Sequence, residues 1–245
     1  GVWAEENTRA AVFAAIKRGE TFATSGPRMR IRTLATWQEP PADICQRLAS
    51  GKNPVDLAEI PGAVMGGSLP AAGASGAPYI VVLAEKDVGD SEPGLPLERL
   101  DLIKGYLDAS DRPKVKVFAG IAQTTAAVES PSRADCSVNP ANHPATLCAV
   151  WRDPEFDAGR DAFYYARVQE IPSCRWSAHL CTQNQVDCSK LDPANGMFPS
   201  DSGLGGFEGC CAISGAPGSF SGRDTFHVIR EKAWASPIWY EAPSP

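Results

Sequence analysis

The chain has 245 residues, with 23 Lys and Arg against 29 Asp and Glu, a formal charge of −6 and a calculated pI near 5.2. That sign excludes a chain that wraps phosphate backbones, so nucleic acid is not an expected partner. Gly at 22 positions and Pro at 21, with 43% hydrophobic residues, describe a folded, turn-rich, mostly β chain rather than a disordered one. The longest unbroken apolar stretches, Ala10 to Ile16 and Tyr79 to Ala84, are far short of the ~20 residues of a membrane span.

In chain order, the first predicted element is a helix from Asn7 or Thr8 to Arg18. Polar capping residues open it, Glu5 and Glu6 sit where its positive end favours them, Val12, Phe13 and Ile16 share a face, and Gly19 ends it. A strand at Thr21 to Thr24 and a Ser25-Gly26-Pro27 turn follow. A second strand starts at Arg28, in which Met29 and Ile31 alternate with Arg28, Arg30 and Arg32, giving one basic face. A short helix is expected around Pro41 to Ser50, apolar at Ile44 and Leu48. Beyond Trp37 the pattern is that of sheet, with strands at Tyr79 to Ala84, Leu97 to Tyr106, Lys114 to Ala119, Phe163 to Ile171 and Phe226 to Ala233. The stretches Pro61 to Pro78, Ala126 to Pro144 and Cys181 to Arg223 are long irregular loops, of the kind that is functional or externally fastened. The expected architecture is mostly β with a short α/β N-terminal element: residues 1–36 as helix and strands, and residues 37–245 as a β-sandwich-like domain with long, disulfide-braced loops.

Eight cysteines stand at Cys45, Cys136, Cys148, Cys174, Cys181, Cys188, Cys210 and Cys211. No Cys-x-x-Cys pair or zinc-finger spacing occurs, so disulfides in an oxidising compartment, periplasmic or secreted, are favoured over structural zinc. Spacing does not fix the pairing; adjacent Cys210 and Cys211 are expected to reach two different partners. A chain that begins at Gly1 without a signal segment implies a removed leader or missing upstream sequence.

Candidate chemistry is sparse. His143, His179 and His227 have no metal-ligand spacing, and His227 reads as a locally bonded strand residue. There is no Gly-x-Ser-x-Gly nucleophile elbow, and Gly203-Leu204-Gly205-Gly206 lacks the strand and helix of a phosphate loop, so it reads as a turn. Asp153, Asp157 and Asp161 lack EF-hand grammar and read as solvated turn carboxylates. Phe163, Tyr164 and Tyr165 offer an aromatic wall or a core filling. The most charge-loaded site is Glu5, Glu6 and Arg9, followed by Arg28, Arg30 and Arg32. It is either an ion-pair network at a domain edge or a place where Arg9 or Arg28 meets an anion such as phosphate.

Several stretches carry a joint resemblance. They are Gly1-Val2-Trp3-Ala4-Glu5-Glu6-Asn7-Thr8-Arg9, Lys17-Arg18-Gly19-Glu20-Thr21, Phe22-Ala23-Thr24-Ser25-Gly26-Pro27-Arg28, Met65-Gly66-Gly67, Ala149-Val150-Trp151-Arg152-Asp153-Pro154, Phe163-Tyr164-Tyr165-Ala166-Arg167-Val168, Ile171-Pro172-Ser173-Cys174-Arg175-Trp176-Ser177 and Ala235-Ser236-Pro237-Ile238-Trp239-Tyr240. Together they resemble a widespread bacterial family of unknown function related to the PHP (polymerase and histidinol phosphatase) metal-dependent phosphoesterases. The resemblance implies an upstream distorted barrel of the same protein, whose His-x-His, Asp and further His ligands hold divalent metal ions and whose metal-activated water hydrolyses a small-molecule ester or phosphoester. It implies that no metal is bound by this chain, that the first helix closes the barrel, and that Glu5, Glu6, Arg9 and Arg28 approach the catalytic face as contacts to substrate anion or to the ligands. The rival expectation is a stand-alone periplasmic or extracellular disulfide-rich β module for binding or assembly, recognising its partner through the long loops.

Overall fold

The computed structural model describes residues 1–49, 62–70, 76–89, 93–132, 135–192, 194–211 and 228–243. Strand outweighs helix, as the composition implies. The chain forms two compact units: unit 1 holds residues 1–126, 142–170 and 231–245, and unit 2 holds residues 127–141 and 171–230.

Unit 1 opens with α1 (Arg9–Lys17). Thr8 caps it, its hydroxyl accepting from the Ala11 N–H and donating to Glu6. Thus an otherwise unpartnered helix-end N–H is satisfied. Gly19 ends the helix at φ 74°. A Cβ there would stand 2.9 Å from the Gly66 Cα, and Gly66, at φ 87°, is equally unable to carry one. Two glycines thus let the helix terminus and the Met65-Gly66-Gly67 turn meet backbone to backbone.

Two sheets face each other in this unit. One is antiparallel and four-stranded, in the order β3 (Gly62–Val64), β2 (Arg30–Thr36), β5 (Tyr79–Glu85), β8 (Thr146–Arg152). The other has seven strands. Its centre is β9 (Ala162–Glu170), flanked on one side by β6 (Leu97–Leu107) and β7 (Pro113–Gln123). On its other side β9 pairs with β12 (Lys232–Ala235), which carries β1 (Phe22–Thr24), and with β13 (Ile238–Tyr240), which carries β4 (Ser68–Leu69). Alternation decides what each strand sends inward. Ala162, Tyr164, Ala166 and Val168 of β9 join Leu100 and Leu102 of β6, and across the core they meet Met29, Ile31, Ile80 and Val82. The unbroken apolar run of β5 is buried on both faces, because α2 (Ile44–Ala49) covers the far side of its sheet with Ile44 and Leu48 over Val81 and Leu83. The Cys45–Cys148 disulfide fastens that helix to β8.

Unit 2 is organised by sulfur. It contains β10 (Ser173–Cys174), paired antiparallel with β11 (Val228–Ile229), the helix α3 (Trp176–Gln183) and short 3-10 turns at Cys188–Lys190 and Glu208–Cys210. Cys136–Cys174, Cys181–Cys210 and Cys188–Cys211 bridge it, and no cysteine is free. The adjacent Cys210 and Cys211 reach different partners, as expected. No helix among the described residues is long and apolar enough to cross a membrane.

The elements predicted from periodicity are present, within a residue or two at most boundaries. The strand expected at Phe226 to Ala233 lies partly outside the described residues and otherwise divides into β11 and β12. Sequence reasoning missed β8, β10, β13 and α3, and it took the stretches holding β3 and β4 for loop.

Candidate functional site

The predicted charged region separates into surface residues and a buried hub. Glu5, Glu6, Arg9 and Arg28 are all exposed. Glu6 accepts from the Thr8 hydroxyl, and the backbone N–H of Arg28 donates to Asp87 at 2.8 Å. The hub is Glu20, which the sequence did not single out. Its carboxylate takes the Arg18 Nε at 2.6 Å and lies 3.9 Å from an Arg32 terminal nitrogen. The Arg32 guanidinium in turn sits 5.0 Å over the ring of Trp3, whose Nε1 donates to the Ile31 carbonyl. Arg30 pairs with Glu85. The expected basic face of β2 is therefore largely neutralised within the fold, and the four surface residues do not converge on a shared ligand.

α1 turns much of its apolar face to solvent. Of Val12, Phe13 and Ile16, which share a face, Phe13 is 67% exposed and Ile16 53% exposed, while Ala15 is the helix's buried residue. The apolar side of this helix is left uncovered by the described residues of unit 1.

A second constellation forms where the Ser25-Gly26-Pro27-Arg28 turn meets the ends of β5, β9 and β12. Glu170, the last residue of β9, is 2% exposed, and its Oε1 has no hydrogen-bond partner. Burial, with the negative charges of Glu231 and Asp87 nearby, pushes its carboxyl up to about 8, against the opposing effects of the Leu95 N–H and the Lys86 ammonium. Glu231 accepts from the Ser25 hydroxyl, which itself accepts from the Lys232 N–H. Asp87 is held below the usual carboxylate range by the N–H groups of Arg28 and Gly89.

Two further buried ion networks lie on the seven-stranded sheet. Lys104 of β6 reaches Asp153 at 2.5 Å, the Glu155 carbonyl at 2.7 Å and stands over the rings of Tyr106 and Tyr164. Tyr164 donates to the same Asp153 oxygen at 2.6 Å. Burial, together with that carboxylate, raises the phenol well above its ordinary range. Asp153 is thus not the solvated turn carboxylate expected: it anchors its turn to the core. Asp157 pairs with Arg160 and Asp161 accepts from the Ala242 N–H, so the three do not join as a calcium set. Asp101, fully buried, is clasped by Arg99 and Arg167 and by the Gly120 N–H.

His143 bonds the Thr124 hydroxyl through Nδ1, and His179 is exposed on α3. His227 lies outside the described residues. No group of three His, Cys, Asp or Glu among the described residues could hold a metal ion. The aromatic run divides by parity: Tyr164 fills the core, while Phe163 stacks on Tyr165 at 6.4 Å and lies 5.0 Å from Trp239 on the opposite face of the sheet. The glycine cluster at 203–206 is a turn, with Gly203 and Gly206 at positive φ.

The missed residues had a legible signal. In Ala166-Arg167-Val168-Gln169-Glu170 the inward parity of Ala166 and Val168 leads to Glu170, and in Leu100-Asp101-Leu102-Ile103-Lys104 it leads to Lys104. An ionisable group at an inward position of an alternating strand must be paired or neutral.

These features define a disulfide-braced β sandwich with buried ion networks and a buried carboxyl, Glu170, accompanied by a sulfur-rich second unit. The chain belongs to the family described as a protein of unknown function, DUF3604, which matches residues 1–196. No curated protein and no solved structure matches it.

Proposed function

We propose that this chain is the C-terminal region of an exported, PHP-like metal-dependent hydrolase that acts on a small-molecule ester or phosphoester, the metal ions and their ligands belonging to an upstream barrel of the same protein. The observation that carries this reading is the uncovered apolar side of α1, Phe13 and Ile16. A helix with such a stripe is stabilised chiefly by packing it, so a covering element is required. In this reading the barrel is that element, and Glu5, Glu6, Arg9 and Arg28, all exposed beside α1 or on the following turn, are the side chains offered to it. No catalytic step is assigned to the residues of this chain. Four disulfides agree with a periplasmic or secreted protein.

The test is hydrolysis of p-nitrophenyl phosphate and p-nitrophenyl acetate, with manganese or zinc supplied, by the natural polypeptide including whatever precedes Gly1, beside residues 1–245 alone. The expected result is activity in the former, none in the latter, and a raised KM in the former on Arg9→Ala or Arg28→Ala. Hydrolysis by residues 1–245 at a comparable rate overturns the proposal, as does a natural polypeptide that binds no metal and hydrolyses neither ester. A second reading, a stand-alone module for binding or assembly, is favoured by α3 in unit 2, where Trp176 (74% exposed) and Leu180 (41% exposed) stand one turn apart.

A further inference from the structure

The Glu170 carboxyl touches a segment that has no regular secondary structure, residues 93–96, and the contact is close. A Cβ on Gly94 would lie 2.6 Å from Glu170 Oε1, 2.9 Å from the Asp87 Cβ and 3.2 Å from the Pro27 Cβ. The Leu95 N–H bonds the carboxyl, the Gly94 N–H donates to the Asp87 carbonyl at 3.1 Å, and the Lys86 ammonium reaches the Gly94 carbonyl at 3.3 Å. On the other side the Glu170 N–H donates to the Glu231 carbonyl, bringing the strand end alongside a second acid. The charged groups facing Glu170 are thus Asp87 and Lys86 from the end of β5 and Glu231 from the start of β12. Arg28 sits against Asp87.

This geometry suits a neutral acid and not an anion. A carboxylate in a dry site needs donors at both oxygens, yet Oε1 has none and two of its three charged neighbours repel it. We propose that Glu170 is a protonation latch: as the neutral acid it clamps residues 93–96 against the Ser25-Gly26-Pro27-Arg28 turn, and on losing its proton it releases them. The step is a simple ionisation, the proton passing to solvent and the charge remaining on the carboxyl. Because the folded site favours the protonated form, the stability it contributes is full below the ordinary glutamate range near 4.5 and is lost as pH rises through about 8. The latch is independent of any catalytic role for the chain.

Amide hydrogen exchange at Leu95 between pH 6 and 9.5, corrected for the intrinsic rate, tests it, with the carboxyl carbon resonance of Glu170 followed in the same samples. The expected result is protection at Leu95 that disappears with a midpoint near pH 8, matching the titration of that resonance. Glu170→Gln should keep Leu95 protected throughout. Glu231→Gln, which retains an acceptor for Ser25, should move the midpoint of the unaltered Glu170 downward, by roughly one pH unit or less, since a neighbouring negative charge is gone. The proposal is overturned by protection that does not change over this range, by an equal loss in Glu170→Gln, or by a midpoint that Glu231→Gln leaves in place. Should Glu170→Gln not fold, the Glu231→Gln shift decides alone.

Discussion

The two units hold themselves together by different means. Unit 1 packs Met29, Ile31, Ile80, Val82, Leu100, Leu102, Tyr164 and Val168 into one core between two sheets and uses a single disulfide, Cys45–Cys148, to fasten α2. Unit 2 has little to bury: Ile171, Ala178, Leu191 and Phe198 are its buried apolar residues among those described, and three disulfides close loops of 38, 29 and 23 residues. Closing loops of that length stabilises by roughly 3 to 4 kcal/mol apiece in the chain-entropy account. Apolar burial and cross-linking are thus alternative answers to the same conformational entropy, and where the sequence is poor in one it is rich in the other.

The comparison breaks most visibly under reductant. With all four bridges reduced at neutral pH, amides of α3 and of residues 188–211 should lose their protection, whereas those of β6 and β9 keep theirs. Equal loss in both units would mean that the sandwich depends on sulfur as well. Within unit 1, Lys104→Met should cost about 3–5 kcal/mol in urea unfolding, because it strands the buried Asp153 carboxylate with the Tyr164 hydroxyl and the Glu155 N–H as its partners. A loss below about 1 kcal/mol would show that hydrophobic packing alone supports that corner. The smallest expected effect is at the helix cap: Thr8→Ala removes the acceptor for Ala11 and should lower stability by about 1 kcal/mol, read from the same unfolding curves. No change would indicate that water serves the helix end equally well.

Much of unit 1 was legible because its strands obey simple periodicity. The run Tyr79-Ile80-Val81-Val82-Leu83-Ala84 reads as a strand, although its burial on both faces comes from α2 and is seen only in the fold, and Thr8 with Gly19 bracketed α1 correctly. Strands shorter than one full alternation, such as β3, β4 and β13, leave no period to detect, and β8 was hidden by Cys148 and Ala149, which fit either a loop or a strand. The charged residues near α1 were conspicuous in sequence because they are adjacent in it. Glu170 and Lys104 owe their importance to partners far along the chain, Glu231 and Asp153, which only the paired strands bring near, and Glu20 joins its neighbour Arg18 to Arg32 of β2. The disulfide partners were unreadable for the same reason, although the separate destinations of Cys210 and Cys211 followed from their adjacency.

One part of unit 1 resists the comparison. The far side of the four-stranded sheet is covered by α2, yet α1 turns Phe13 and Ile16 outward with neither a core nor a disulfide to account for them. Hydrogen exchange of residues 9–17, measured in residues 1–245 and again in the natural polypeptide that contains them, tests directly whether a barrel covers this helix. The proposed arrangement predicts protection rising at least tenfold in the longer polypeptide, and identical exchange in the two would contradict it.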